Sequence, residues 1–208
     1  MNFVRLFSVS LCLALFASLY GCVVGSTPPS QFYLLEPLAD TNETGASSAT
    51  SISVALAPVR IPRYADRPQI VTAVDRNTYE LNELKRWAEA LDENISRVLI
   101  QNLSSLVPAE VLPARTAKLA KKARYRLNLN ILEFYVDPQG TAILDSHWYV
   151  TEKGKKRSGQ RKSYRAPAST TDIALSVKAL NDCLDRLSRD IAQQLRLLAQ
   201  TDTFERVY

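Results

Sequence analysis

Histidine and glycine are scarce in this chain of 208 residues, which has one histidine, His147, and six glycines. A Ser-His-acid triad would have to use His147, and the sequence offers it no accompanying motif. Metal sites combine histidine, cysteine and acidic ligands, yet neither a second histidine nor a Cys-x-x-Cys pair is present. The scattered glycines form no phosphate-binding loop. The sequence therefore predicts a protein that is not an enzyme and needs no metal or cofactor.

The N-terminus has the pattern of an export signal. A single positive charge at Arg5 precedes an apolar run at residues 6–19, which is shorter than the ~20 residues that a membrane-spanning helix needs. A Leu-Tyr-Gly-Cys string that ends at Cys22 follows and resembles the bacterial lipobox, in which a small residue precedes a cysteine that becomes acylated. We predict that residues 1–21 are removed and that Cys22 is lipidated. An ordinary secretory peptide with a chance cysteine is the alternative.

Cysteine is also rare, and this limits the mature chain to one thiol. Cys12 leaves with the signal and Cys22 is consumed by lipid, so only Cys183 remains and no internal disulfide can form. Residues 22–30 have the composition of a lipidated tether, and residues 31–208 are long enough for one domain with a sizeable core. No aspartate follows Cys22. By resemblance to enterobacterial lipoproteins, this favours the outer membrane, with the domain facing the periplasm.

Runs of β-branched and aromatic residues predict a sheet. In the first half of the chain the predicted strands lie at residues 31–35, 52–59, 69–74 and 78–81, with a polar, mobile loop at 40–51. Later strands are predicted at residues 110–112, 123–136, 141–152 and near 160–165. The apolar set of the 123–136 strand changes faces, which predicts a β-bulge near Ile131. His147 is expected on the solvent side of its strand, near Asp145.

Two segments have helical periodicity. The first occupies residues 87–106, and the second follows a Ser-Thr-Thr-Asp string with capping spacing that ends at Asp172. Cys183 flanks the apolar stripe of the second helix and is predicted to be a small buried residue. Together the elements predict an α+β fold, in which a mixed, mainly antiparallel sheet carries two long amphipathic helices on one face.

The chain has a formal net charge of +5, and many of its cations lie in one stretch. Residues 153–165 contain lysines and arginines but no acid. For an exported protein, anionic headgroups or lipopolysaccharide phosphates are the accessible partners, rather than nucleic acid. We predict that anionic headgroups contact Lys155, Lys156, Arg157, Arg161 and Lys162. The alternative is a solvated turn that charge keeps soluble.

Four strings in order resemble a known family: Phe-Tyr-Leu-Leu at 32–35, Pro-Val-Arg-Ile-Pro at 58–62, Asp-Arg-Pro-Gln-Ile-Val at 66–71 and Arg-Trp-Ala-Glu at 86–89. The mature chain is similar throughout to the PqiC/YmbA family of ABC-transport auxiliary lipoproteins. The resemblance implies a non-catalytic partner of MCE-domain (mammalian cell entry) proteins, which form lipid conduits between the inner and outer membranes. It leaves a homo-oligomer open.

The segment around the second and third strings is dense in charge and proline. The resemblance implies that it faces a partner or subunit through Arg60, Pro62, Tyr64, Asp66, Arg67, Pro68 and Gln69. The alternative is a packed structural loop in which Arg67 and Asp66 satisfy backbone groups. The first functional hypothesis is thus an adaptor that docks an MCE conduit to the outer membrane. The second is a free-standing envelope lipoprotein that binds lipopolysaccharide or peptidoglycan through a basic rim, and an exported hydrolase is the weakest.

Overall fold

The computed structural model describes residues 28–39, 52–114 and 123–205, which form a mixed sheet and two helices. The helices are α1 (Leu91–Leu106) and α2 (Ile173–Glu205). The strands are β1 (Gln31–Tyr33), β2 (Ile52–Leu56), β3 (Gln69–Ala73), β4 (Tyr79–Trp87), β5 (Ala109–Pro113), β6 (Tyr125–Val136), β7 (Thr141–Glu152) and β8 (Lys155–Pro167). The α+β prediction is confirmed. The predicted signal peptide, Cys22 and the predicted loop at 40–51 lie outside the described residues.

The described strands pair in the order β1-β4-β3-β6-β2-β5, while β7 and β8 continue the sheet from the other edge of β6. The longest pairings, β6 with β7 and β7 with β8, are antiparallel, whereas β1–β4, β2–β5 and β2–β6 are parallel. The β6–β7 register shifts between Ile131 and Glu133, which confirms the predicted bulge. On the edge of β6 opposite to β7, β2 pairs near the start of the strand and β3 pairs at Val136.

The predicted boundaries around Trp87 were wrong. β4 extends to Trp87, and α1 begins only at Leu91. The apolar spacing at this point fits a helix, but the N–H of Trp87 donates to the carbonyl of Pro68 at 2.7 Å, and the N–H of Ala88 donates to that of Tyr33 at 2.9 Å. These long-range backbone bonds override the local helical period.

The apolar stripes of both helices pack on one face of the sheet to form the core. Leu127, Leu144 and Trp148 of the sheet and Leu184 of α2 are among the fully buried side chains. Cys183 is buried too, and burial raises the pKa of its thiol to about 11. It is therefore protonated and unreactive at neutral pH. Neither described helix has the length and apolar composition needed to cross a membrane.

Candidate functional site

The family strings, although far apart in sequence, meet at the end of β4. The register of the sheet pairs Phe32 with Arg86 and Tyr33 with Trp87 on one side of this strand. On the other side it pairs Gln69 with Arg86. Three of the strings thus form one junction, in which β4 lies between the N-terminal strand and β3.

The segment that joins β2 to β3, which we call the edge loop (residues 57–68), takes the place of a strand beside β6. The N–H of Ala57 donates to the carbonyl of Leu127 at 2.8 Å. Further along, the N–H of Arg60 donates to Leu129 O at 3.1 Å, and Arg60 O accepts the N–H of Ile131 at 2.8 Å. These bonds continue the ladder that β2 begins, so the first part of the edge loop is fixed to the sheet.

Tyr64 fixes the next part of the edge loop. Its hydroxyl donates to Glu133 Oε2 at 2.9 Å and accepts the backbone N–H of Phe134, also at 2.9 Å. Its ring stacks on that of Tyr79, with centroids 5.0 Å apart. Burial, together with the Glu133 carboxylate, holds the pKa of Tyr64 well above its ordinary value, so the hydroxyl remains a donor. Tyr64 thus satisfies a backbone group, a role that the packed-loop alternative gave to Arg67 and Asp66.

The tip of the edge loop is open to solvent. Asp66, Arg67 and Pro68 are exposed. Within the described residues, the side chains of Asp66 and Arg67 make no hydrogen bond or ion pair. Of the remaining predicted interface residues, Arg60 is exposed, whereas Pro62, Tyr64 and Gln69 are half-buried. The sequence-predicted set therefore divides into residues that hold the loop and residues that are available to a partner.

A groove of about 600 Å³ lies between the edge loop and α1. It brings Pro58 of the second string close to Glu89 of the fourth, with Ile100 of α1 adding to its apolar lining. Arg97 donates to Glu89 Oε1 from Nε at 3.0 Å and from Nη2 at 2.8 Å. Two further carboxylates, Asp92 and Glu93, also line the groove, which therefore combines apolar with charged and polar side chains.

Amide side chains from both helices hold the extended segment that follows β1. Asn94 Oδ1 accepts the N–H of Leu35 at 2.7 Å, and Asn94 Nδ2 donates to Leu35 O at 3.2 Å. Asn181 and Asn102 accept the N–H groups of the residues one and three places further along, each at 2.8 Å. We call these three residues the asparagine clamp. Sequence reasoning missed them, although Asn94 and Asn102 interrupt the apolar stripe of α1.

The asparagine clamp also joins the two helices. Asn102 Nδ2 donates to Asp185 Oδ1 and to Ser188 Oγ of α2, both at 3.1 Å. Asp185 is partly buried by this arrangement, and burial raises the pKa of its carboxyl group. One amide therefore connects α1, α2 and the N-terminal segment.

The basic stretch lies in the β7–β8 turn and along β8. The turn residues Lys153 and Gly154 both have positive φ, 48° and 79°, as tight two-residue hairpins require. Two of the predicted headgroup contacts face carboxylates: Lys162 lies 2.6 Å from one on α2 and Arg157 lies 3.5 Å from one on β7. All five predicted contacts occupy exposed positions, including Lys155, Lys156 and Arg161.

His147 is half-buried on β7, in register with Asn130 and Arg161. Its ring lies 5.8 Å from that of Tyr149. In the part of the chain that the structure describes, no group of three or more potential metal ligands comes together. The described residues define a two-layer α+β protein whose organised features are the junction at the end of β4, the edge loop and the asparagine clamp.

The family model of the ABC-type transport auxiliary lipoprotein component matches residues 33–192, and the chain belongs to this family. Intermembrane transport lipoprotein PqiC of Escherichia coli K12 is 22% identical over 182 residues, which cover 86% of this chain and 93% of that protein. PqiC of Shigella flexneri matches equally well.

Solved structures support the fold. Protein XCC0632 from Xanthomonas campestris is similar with a TM-score of 0.69 at 15% identity, over 84% of this chain and 99% of that one. The crystal structure of an uncharacterized protein gives a TM-score of 0.67 at 18% identity, over 81% and 99% of the two chains. At these identities the likeness concerns the architecture alone.

Proposed function

We propose that this chain is a non-catalytic lipoprotein of an MCE-type intermembrane lipid transport system, anchored in the outer membrane through Cys22. There it docks a periplasmic conduit. The observation that carries this proposal is the edge loop, which is bonded to β6 through Ala57, Arg60 and Tyr64 and yet leaves residues 66–68 exposed at its tip. Family membership and the likeness to PqiC, an intermembrane transport lipoprotein, supply the kind of system.

The tip of the edge loop has the physical properties of a docking surface. Pro62 and Pro68 restrict its backbone, so little conformational entropy is lost on binding. Arg67 is of a residue type that often dominates interface energies, and it is not engaged by another described side chain. Crosslinking in intact cells, followed by purification of the tagged lipoprotein, should recover an MCE-domain protein. Repeated recovery without one would contradict the proposal.

The anchor is tested by substitution of Cys22. We expect wild-type protein to incorporate labelled palmitate and to fractionate with the outer membrane. Cys22→Ser should abolish the label and leave the signal uncleaved or the protein mislocalised, because the thiol is the acylated group. Cys12→Ser is the matched control and should keep both label and location. A label that is absent from wild type, or that survives Cys22→Ser, would refute lipidation at this residue.

A second candidate function is that of a free-standing envelope lipoprotein that binds anionic headgroups through β8, and it is favoured by the exposure of Lys155, Lys156 and Arg161. Replacing all three by Gln should weaken flotation with phosphatidylglycerol vesicles in a salt-dependent way, by ~1 kcal/mol per charge. The control is Lys178→Gln, an exposed lysine of α2. If the triple variant co-floats with the vesicles as much as wild type does, these residues do not bind headgroups and β8 is a solvated edge.

A further inference from the structure

Two large apolar side chains are exposed where the domain meets its tether. Phe32 is 63% exposed and Leu34 is 43% exposed. They alternate with Tyr33 and Leu35, which pack against the core. In extended chain, alternate residues lie on opposite sides, so Phe32 and Leu34 both point away from the core.

The fold holds these two side chains in place. β1 pairs with β4 at all three of its residues, and Asn94 bonds both backbone groups of Leu35. Phe32 and Leu34 are therefore fixed between a strand ladder and the asparagine clamp and cannot turn inward. Exposed edge strands usually carry charge or proline to prevent unwanted contacts. β1 presents an aromatic ring instead.

The sequence places this apolar pair next to the predicted anchor. Phe32 follows Cys22 by ten residues, which span at most about 35 Å when fully extended. A cationic residue accompanies the pair, because the register sets Arg86 beside Phe32, while Lys85 pairs with the preceding Gln31 and donates to its side chain. An aromatic ring with flanking cations is the composition typical of segments at a membrane interface.

We propose that Phe32 and Leu34 insert into the bilayer interface, so that β1 is the part of the domain that rests on the membrane. This inference depends on the proposed lipidation of Cys22, which holds β1 at a high local concentration of lipid. A protein occupant fits less well. The exposed pair is far smaller than the ~800 Å² per partner of a stable protein interface, and a strand of three residues offers few backbone groups for pairing.

Site-directed spin labels can test the insertion. The full gene is expressed, and the mature lipoprotein is reconstituted in phosphatidylethanolamine–phosphatidylglycerol vesicles with a nitroxide at Phe32→Cys or Leu34→Cys. Leu197→Cys is the matched control, since Leu197 is 49% exposed on α2 and lies sixteen residues beyond the clamp residue Asn181, about 24 Å along the helix. Unsubstituted protein gives the background, which should be low because Cys183 is buried.

Collision rates with oxygen and with a water-soluble nickel chelate distinguish the outcomes. We expect the ratio of oxygen to nickel accessibility to rise severalfold at positions 32 and 34 on reconstitution and to stay unchanged at 197. Labels that remain accessible to nickel would overturn the proposal. Labels that become shielded from both reagents would also overturn it, because they would indicate a protein contact. Intact mass is measured first. An unacylated Cys22 would refute both the lipid anchor and the insertion. An acylated protein whose labels remain exposed to water would refute the insertion alone.

Discussion

The asparagine clamp and the edge loop both hold an irregular segment whose backbone groups need partners, but they do so differently. The clamp uses buried amides, and Asn94 and Asn102 are fully buried. The edge loop uses the free edge of β6 and the single hydroxyl of Tyr64. The edge loop also accepts a bond from the N–H of Trp87 at Pro68 O, but the side chains at its tip, residues 66–68, remain exposed.

This difference separates residues that maintain the fold from residues that are available for contacts. In the segment held by the clamp, the backbone N–H groups of Leu35, Glu36 and Leu38 bond to amides of the helices. The large apolar side chains Phe32 and Leu34 are exposed, and so is Glu36. In the edge loop the exposed tip is polar and rigid, with Asp66 and Arg67. The first surface suits lipid and the second suits a protein partner.

The largest expected effect concerns the clamp. Asn94→Ala should lower the free energy of unfolding by roughly 2–4 kcal/mol, because it leaves the N–H and C=O of Leu35 unpaired in a buried site. Asn181→Ala is the matched control. It removes the bond to the N–H of Glu36 and a long bond of 3.5 Å to Asp185 Oδ2, at a more exposed position than Asn94, and should cost about 1 kcal/mol. Urea unfolding measures both, and equal losses would mean that burial of the clamp does not stabilise the fold.

The next effect concerns the edge loop. Tyr64→Phe should lower the free energy of unfolding by about 1–2 kcal/mol, because the N–H of Phe134 loses its acceptor while the stacked ring is kept. Tyr79→Phe is the control, since it keeps the same stacking pair and should change stability by no more than about 0.5 kcal/mol. Thermal and urea unfolding of the two variants test the comparison. A neutral Tyr64→Phe would show that the edge loop does not need this bond.

The smallest effect is pH-dependent and concerns Asp185, the partner of Asn102. Burial raises the folded-state pKa of this carboxyl above its ordinary 3.8, so the folded protein binds more protons than the unfolded chain, and stability falls as pH rises through this interval. Asp185→Asn should therefore stabilise the protein at neutral pH, by less than about 1 kcal/mol because solvent screens a half-buried group. The gain should vanish below pH 3.8. An equal gain at both pH values would contradict this origin.

Local patterns predicted most of the elements. The 173–205 helix begins after Asp172, whose carboxylate accepts the N–H groups of Ala174 and Leu175, as the capping spacing indicates. The bulge at Ile131 was visible in the alternation of apolar residues. Trp87 was misplaced because its strand bonds come from distant segments.

The candidate site was only partly predictable. The sequence singled out Tyr64 and Arg67 together, since both are typical interface residues. The structure gives Tyr64 a structural role and leaves Arg67 exposed. The role of Tyr64 depends on Glu133, which is 69 positions away in the sequence. The asparagine clamp likewise depends on contacts between residues 59 to 145 positions apart. Spacing rules for single helices and strands contain no information on such pairs.

Co-purification of an MCE-domain protein with edge-loop variants tests most directly whether the tip of the edge loop is the docking surface. The double variant Asp66→Ala and Arg67→Ala should melt at the wild-type Tm, because neither side chain bonds to a described residue, and yet should recover little of the partner. Tyr64→Phe should melt lower but recover the partner at temperatures where it is folded. A double variant that melts like wild type and still recovers the partner in full would contradict the account.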